Sequence, residues 1–313
     1  MNGSSVGVTT SATSTQWGGV SDADLARMLL IRHFELNLLA LFTRGEISGT
    51  THTCLGQEYI PVALMSLIAP AFVFSNHRGH GHYLAQFDDA AGLLAEITGR
   101  EGAVCAGRGG SQHIFRPGFC STGVQGESVP AALGVALHMK STGRPVLAVA
   151  YIGDGTWGQG VVYEALNMAQ LWQAPLVVVV ENNHIAQTTP TRSAMAGSIR
   201  GRAAAFGVRY EYVEGCDVQA IRAQLEAPIR RTRDGGGPVV VEFDTIRLGP
   251  HSKGDDARDP AAVALLRERD WYEQHARRDP ERFQRLDASA RRIVADVTRD
   301  VLSRPLVGAR AAR

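Results

Sequence analysis

The sequence predicts an α/β domain built on a mostly parallel sheet flanked by helices, with a helical C-terminal arm. Three observations support this. From Val146 to Asn183 the text reads strand, turn, helix, strand, the pattern of one parallel crossover unit. Further apolar, strand-like runs at Phe72–Ser75, Val208–Val213 and Val239–Ile246 are separated by segments with helical spacing. From Pro260 onward the chain becomes rich in Arg, Glu, Asp and Ala and reads as helix.

The chain has 313 residues, 44% of them hydrophobic, enough to bury a large core as one big domain or two small ones. A net charge of +1 gives no argument for nucleic acid or an anionic membrane as partner. No apolar run approaches the roughly 18 residues of a membrane span. The first residues lack a basic region followed by an apolar one, so a secretory signal is not expected, and residues 1–18 read as a disordered tail. The folded domain is expected over 19–256 and the arm over 257–313. Cys54, Cys105, Cys120 and Cys216 show no CxxC spacing, which argues against a zinc site or a disulfide framework and makes a reduced, cytoplasmic protein the default.

Ser21 or Asp22 can cap a first helix carrying Leu25, Met28, Leu29 and Leu38 at helical spacing. The loop segment that follows contains His52 and then Gly56-Gln57-Glu58. After the Phe72–Ser75 strand comes Asn76-His77-Arg78-Gly79-His80-Gly81-His82. Alternating histidines can ligate zinc, but Arg78 would repel a dication, and arginine beside glycine suits phosphate better. In the central unit, the apolar run ending at Ile152 turns on Gly153-Asp154-Gly155. Val162, Leu166, Ala169 and Leu171 then mark one buried helix face, and the run Leu176–Val180 stops at Glu181-Asn182-Asn183.

Gly153 to Gly158 matches GxGxxG after a strand, so a dinucleotide site is one option. A carboxylate inside the turn argues against it, as does the absence of an acid about 20 residues further on. Asp154 and Asn183, at the carboxyl ends of neighbouring strands, instead suit a hard cation such as Mg²⁺ shared with phosphate oxygens. The plain alternative is a tight turn with Asp154 capping a helix.

GDG followed by NN at this spacing resembles the thiamine diphosphate motif. The intervening Glu164-Ala165-Leu166-Asn167-Met168-Ala169 and Leu171-Trp172 resemble the alpha subunit of the decarboxylating component of 2-oxo-acid dehydrogenase complexes (the pyruvate, branched-chain and acetoin type). Other segments extend the likeness over roughly Leu25 to Asp270. His52 through Gln57-Glu58 resembles "H…GQEA", Gly107–His113 resembles "GKGGSMH", Gly123–Gly126 resembles "GIVG", and Arg247–Asp256 resembles "R…HHS…DD".

The resemblance implies a thiamine diphosphate-binding fold of the diphosphate-binding type. It implies a metal shell of Asp154, Asn183 and the carbonyl of Ile185. The diphosphate would lie against Arg78 and the Gly153, Gly155 and Thr156 turn, and His77 would line the site where relatives often carry Tyr. Gly123 and Gln125 would hold the aminopyrimidine through their backbone, and His52 and His251, with His80 as a further candidate, would act as catalytic histidines, His251 also contacting the cofactor. Implied partners are a 2-oxo acid, a lipoyl-bearing acyltransferase, and a beta subunit in an alpha-2 beta-2 heterotetramer. That subunit would supply the pyrimidine-binding domain and the activating Glu.

Several positions depart from the family pattern. Gln125 replaces Val, Glu127 a small residue, Gly158 an Asn, and Pro250 a His or Gly. The Tyr-Arg pair that commonly follows the two Asp residues is missing. Ser252 sits where some relatives are phosphorylated. Glu127 could be a buried carboxylate near the cofactor or a helix cap. A carboligase acting on an aldehyde or ketone, and a non-catalytic scaffold subunit, stay open beside the dehydrogenase reading. On the residues alone, His52 reads equally as a loop histidine and the His251 segment as a solvated loop.

Overall fold

A computed structural model describes residues 19–252 and 256–308 of the chain. The expected tail, residues 1–18, and Asp255 of the expected two-Asp pattern lie outside the described residues. No helix among the described residues is long and apolar enough to cross a membrane. All four cysteines are free.

Strands β1 (Ala71–Ser75), β2 (Phe115–Arg116), β3 (Phe119–Ser121), β4 (Leu147–Gly153), β5 (Leu176–Asn182), β8 (Arg209–Glu214) and β9 (Val239–Asp244) form one seven-stranded sheet. Its order is β2-β3-β1-β4-β5-β9-β8, and every pairing except β2 with β3 is parallel. A small hairpin of β6 (Ile185–Ala186) and β7 (Thr189–Pro190) follows β5. The sheet is therefore α/β and mostly parallel, as the sequence predicts.

Its central strands are apolar throughout because both faces are covered. Val149 and Tyr151 of β4 and Val177 and Val179 of β5 pack with helices α1 (Asp22–Thr43), α2 (Tyr59–Ile68), α3 (His80–Phe87), α4 (Ala90–Thr98) and α9 (Val218–Arg233). The alternate residues Ala148, Ala150, Ile152, Val178 and Val180 pack with α5 (Ser128–Ser141), α6 (Gly160–Leu171) and α8 (Ile199–Ala205). A one-turn helix, α7 (Thr191–Ala194), lies between β7 and α8. Ser21 caps α1, its hydroxyl accepting from the Asp24 amide.

The C-terminal segment, expected as a helical arm, is helical and also contributes to the core. It forms α10 (Pro260–Leu266), α11 (Trp271–Arg278) and α12 (Pro280–Ser303), and Trp271, Phe283, Ala290, Val294 and Val301 join the same core cluster as α1. Between Phe283 and Val301 the apolar residues recur at helical spacing on one face, which also buries Asp287, paired there with His33 of α1 at 2.5 Å and with the Tyr272 hydroxyl at 2.8 Å. Arg32 of α1 bridges the domain to this segment. Its guanidinium donates to Glu58 at 2.5 Å and to Asp270 at 2.8 Å, and it lies over the Trp271 ring at 4.9 Å. Burial opposes the charge of Arg32, but Glu58 and Asp270 outweigh it and hold the guanidinium protonated.

Trp271 is wholly buried, and its indole N–H donates to Glu58 at 2.7 Å. Trp271→Ala is therefore expected to cost about 3–5 kcal/mol, read as a fall in the urea midpoint with the slope unchanged. A loss under about 1 kcal/mol, the range of surface substitutions, would mean that the segment is an accessory arm.

Candidate active site

Five neighbouring parallel strands deliver their following residues to one crevice. Gly123 and Gln125 come after β3, and Asn76 to Arg78 after β1. Asp154 to Thr156 follow β4, Asn183 and Ile185 follow β5, and His251 lies beyond β9. Because the chain leaves β1 towards one edge of the sheet and β4 towards the other, loops diverge there and open a space at the strand ends. The cavity has a volume of about 310 Å³. Its lining includes every sequence-predicted site residue except His80.

Asp154 opens a short 3₁₀ turn, Asp154–Gly158, and is only 2% exposed. Its carboxylate accepts from the Thr191 hydroxyl and from the backbone amides of Asp154 and Asn183. Burial nevertheless pushes its pKa above the ordinary carboxylate value, against those hydrogen bonds. On the neighbouring strand end, Asn182 is occupied structurally. Its amide donates to Glu242 at 2.7 Å, and its oxygen accepts from the His184 amide at 3.0 Å. His184 then adopts φ +64°, which reverses the chain into the β6–β7 hairpin. Asn183 differs from Asn182: its buried side-chain oxygen has no hydrogen-bond partner among the described residues. A buried carboxylate beside an unmatched amide oxygen is an all-oxygen, hard donor set, so these residues fit Mg²⁺. Gly155 is required by close approach, since a Cβ there would lie 2.6 Å from the Ala186 Cβ on the hairpin.

Arg78 is 4% exposed. Its guanidinium donates to the Thr53 carbonyl at 2.7 Å and, at 3.2 Å each, to Nδ1 and the carbonyl oxygen of His251. Burial, followed by the nearby Arg247, lowers its pKa to about 10. A buried guanidinium held by neutral acceptors is suited to receiving an anion such as a diphosphate.

His52, His77 and His251 meet at the cavity, with ring centroids 4.7, 4.8 and 5.5 Å apart. One nitrogen from each lies within 4.8 Å of the others, a spacing that zinc could use. Arg78 argues against zinc, because its donation to Nδ1 of His251 places a fixed cation at the cluster and puts the imidazole proton on Nε2, where a metal would bind.

His80 is the exception. It begins α3, is fully buried, and turns away from the cavity. Nδ1 lies 3.1 Å from both oxygens of buried Glu35, and Nε2 lies 2.8 Å from the Ser111 hydroxyl. The structure does not bring His80, expected among the catalytic histidines, to the cavity: its contacts tie the glycine-rich 107–113 loop to α1. His82 is likewise internal, bridging Ser75 at 2.7 Å and Glu181 at 2.9 Å. Glu127 is exposed and its side chain makes no capping bond; among the described residues its carboxylate accepts from the Thr122 hydroxyl at 3.3 Å, so both the buried-carboxylate and helix-cap readings fall.

Two participants escape sequence reasoning. Gln57 lines the cavity, is 1% exposed, and has no hydrogen-bond partner at either end of its amide among the described residues. Its place in Gly-Gln-Glu carried only a likeness to the family's "GQEA" segment, with no site role. Arg258 fastens the loop that carries His251, donating to the Arg247 and Gly249 carbonyls at 2.6 and 2.7 Å while paired with Asp256 at 2.6 Å. It supplies a loop-fastening arginine although the expected Tyr-Arg pair is absent.

Comparison with known proteins identifies the family. Residues 26–280 match the family described as dehydrogenase E1 component. The pyruvate dehydrogenase E1 component subunit alpha of Rhizobium meliloti (strain 1021) is 36% identical over 284 residues, covering 86% of this chain and 82% of the relative. The subunit alpha of acetoin:2,6-dichlorophenolindophenol oxidoreductase from Bacillus subtilis (strain 168) is 37% identical over 234 residues, covering 73% of this chain and 70% of the relative. On its sequence, its α/β fold and these matches, the chain belongs to the dehydrogenase E1 component family.

Proposed function

We propose that this chain is the alpha subunit of a thiamine diphosphate-dependent enzyme that decarboxylates a 2-oxo acid and passes the acyl unit to a lipoyl acceptor. The observation that carries this reading is the buried Asp154 carboxylate beside the unmatched Asn183 oxygen, in one cavity with Arg78 and the imidazoles. Asp154, Asn183 and the Ile185 carbonyl would hold Mg²⁺. Arg78 and the Gly153, Gly155 and Thr156 turn would hold the diphosphate, and Gly123, Gln125 and His77 would line the aminopyrimidine side. When bound, thiamine diphosphate supplies the electron sink that lets a 2-oxo acid lose CO₂.

The chain's own residues do the rest. Arg78 offsets the charge of the anionic substrate and diphosphate. His251, whose Nδ1 accepts from Arg78, holds its proton on Nε2 and can deliver it to an oxygen that gains negative charge. His52 packs edge-on against both other rings and limits their rotation. A beta subunit, in an alpha-2 beta-2 assembly in the cytoplasm, would complete the site with a pyrimidine-binding domain and an activating Glu. The chain alone would then be inactive.

The test is CO₂ release from pyruvate and branched-chain 2-oxo acids by the chain co-expressed with its beta partner, with and without Mg²⁺ and thiamine diphosphate. An artificial electron acceptor supports the dehydrogenase, whereas product formed only with added aldehyde moves the reading to a carboligase. No release from an assembled, cofactor-loaded complex overturns both and leaves a scaffold subunit.

A further inference from the structure

We propose that Gln125 fixes the proton of His77 on Nε2, so that His77 offers the cavity a neutral N–H donor and Gln125 serves as a positioning residue. The amide orientation follows from its surroundings. Nε2 of Gln125 lies 3.3 Å from the carbonyl oxygen of Gly123, which can only accept, while Oε1 accepts from the Thr156 hydroxyl at 2.9 Å. A flipped amide would set two carbonyl oxygens against each other at Gly123.

With the NH₂ end so placed, its 2.9 Å contact with Nδ1 of His77 is a donation, and Nδ1 carries a lone pair. A neutral imidazole that accepts at Nδ1 holds its proton at Nε2. Neutrality is reinforced from every side. Burial first, then Arg78, His52, His251 and Arg247, press the pKa of His77 well below its ordinary value. An imidazolium would also meet the amide donor to donor.

Thr156, Gln125 and His77 therefore form a one-way chain from the turn after β4 to the histidine cluster. Its origin is fixed, since Thr156 is only 2% exposed. Nε2 lies on the opposite ring edge from Gln125, in a side chain that lines the cavity. A neutral N–H suits an oxygen that gains charge during reaction, because it strengthens its bond there without giving up the proton. That this oxygen is the keto oxygen of a 2-oxo acid rests on the function proposed above.

The experiment uses the full chain with ¹⁵N-labelled histidine and long-range ¹H–¹⁵N correlation. The chain has ten histidines, and the signals of His77 are assigned by their loss in His77→Phe. Between about pH 6 and 8, His77 is expected to show a protonated Nε2 and a bare Nδ1. Gln125→Glu, of similar shape but only an acceptor, is expected to draw the proton to Nδ1, and Gln125→Leu to give a mixture. Should Gln125→Glu fail to fold, Thr156→Val removes the hydroxyl that Oε1 accepts from, loosens the amide, and is expected to give the same mixture.

In the assembled enzyme, kcat of Gln125→Glu should fall about 10-fold or more while the KM for the 2-oxo acid changes less, the mark of a lost transition-state contact. A wild-type proton on Nδ1, or an unchanged tautomer in Gln125→Glu, overturns the proposal. The spectra require no turnover, so a negative CO₂ assay strikes the functional reading and leaves the proton placement to be judged separately.

Discussion

Replacing Asp154 with alanine is expected to remove Mg²⁺-dependent binding of thiamine diphosphate, with little loss of fold. Calorimetry on the assembled protein should show affinity reduced by more than about 100-fold, the upper end of what outer-shell partners of a metal contribute. The expectation rests on what remains at the site. Asn183 and the Ile185 carbonyl leave only neutral oxygens, and Arg78 cannot compensate, because a guanidinium binds phosphate oxygens but repels the cation. Stability should respond differently. In the metal-free protein, burial pushes the pKa of Asp154 upward, so its charged form is a cost at neutral pH that alanine relieves. Against this stands the lost bond from Thr191, itself 7% exposed. The two effects oppose each other and leave a net change within about 1 kcal/mol. Retained cofactor affinity in Asp154→Ala would sink the metal assignment, and a collapsed fold would make Asp154 a structural cap.

Asp154 and Asn183 were legible from sequence because one short crossover fixes their adjacency. The apolar runs before each are long enough to be strands and the helix between them is periodic, so their carboxyl ends must meet. Arg78 was legible from composition, as an arginine among glycines just beyond a strand, whereas His251 was legible only through the likeness of its loop to the family pattern. What escaped depends on contacts between distant segments. Gln125 meets His77 across 48 positions, and no local pattern says that an amide on one loop will find an imidazole on another. His80 sits in the same histidine-rich run as His77, yet its helix start turns it inward to Glu35, 45 positions earlier. Burial of the C-terminal segment was hidden by its charge. Arg and Asp dominate its composition, while its core contacts are few and large, and the pairing of Arg32 with Asp270 spans 238 positions.

His251→Ala is expected to leave cofactor affinity within a few-fold of the native value and to lower turnover by about 10²–10⁴, the range for a positioned general acid or base. The geometry separates the two effects. Arg78 keeps its bond to the Thr53 carbonyl when the imidazole is removed, so the diphosphate-facing guanidinium stays in place. The loop itself stays fastened, because Arg258 holds the carbonyls of Arg247 and Gly249 rather than the ring of His251. What alanine deletes is the Nε2 proton donor and the edge contact with His52. His251→Gln sharpens the test, since an amide oxygen can still accept from Arg78 but cannot shuttle a proton. If His251 handles protons, Gln should be nearly as inactive as Ala in CO₂ release. Substantial recovery in Gln would mean that the residue acts through its bond to Arg78, and normal turnover in Ala would reduce the segment to a solvated loop.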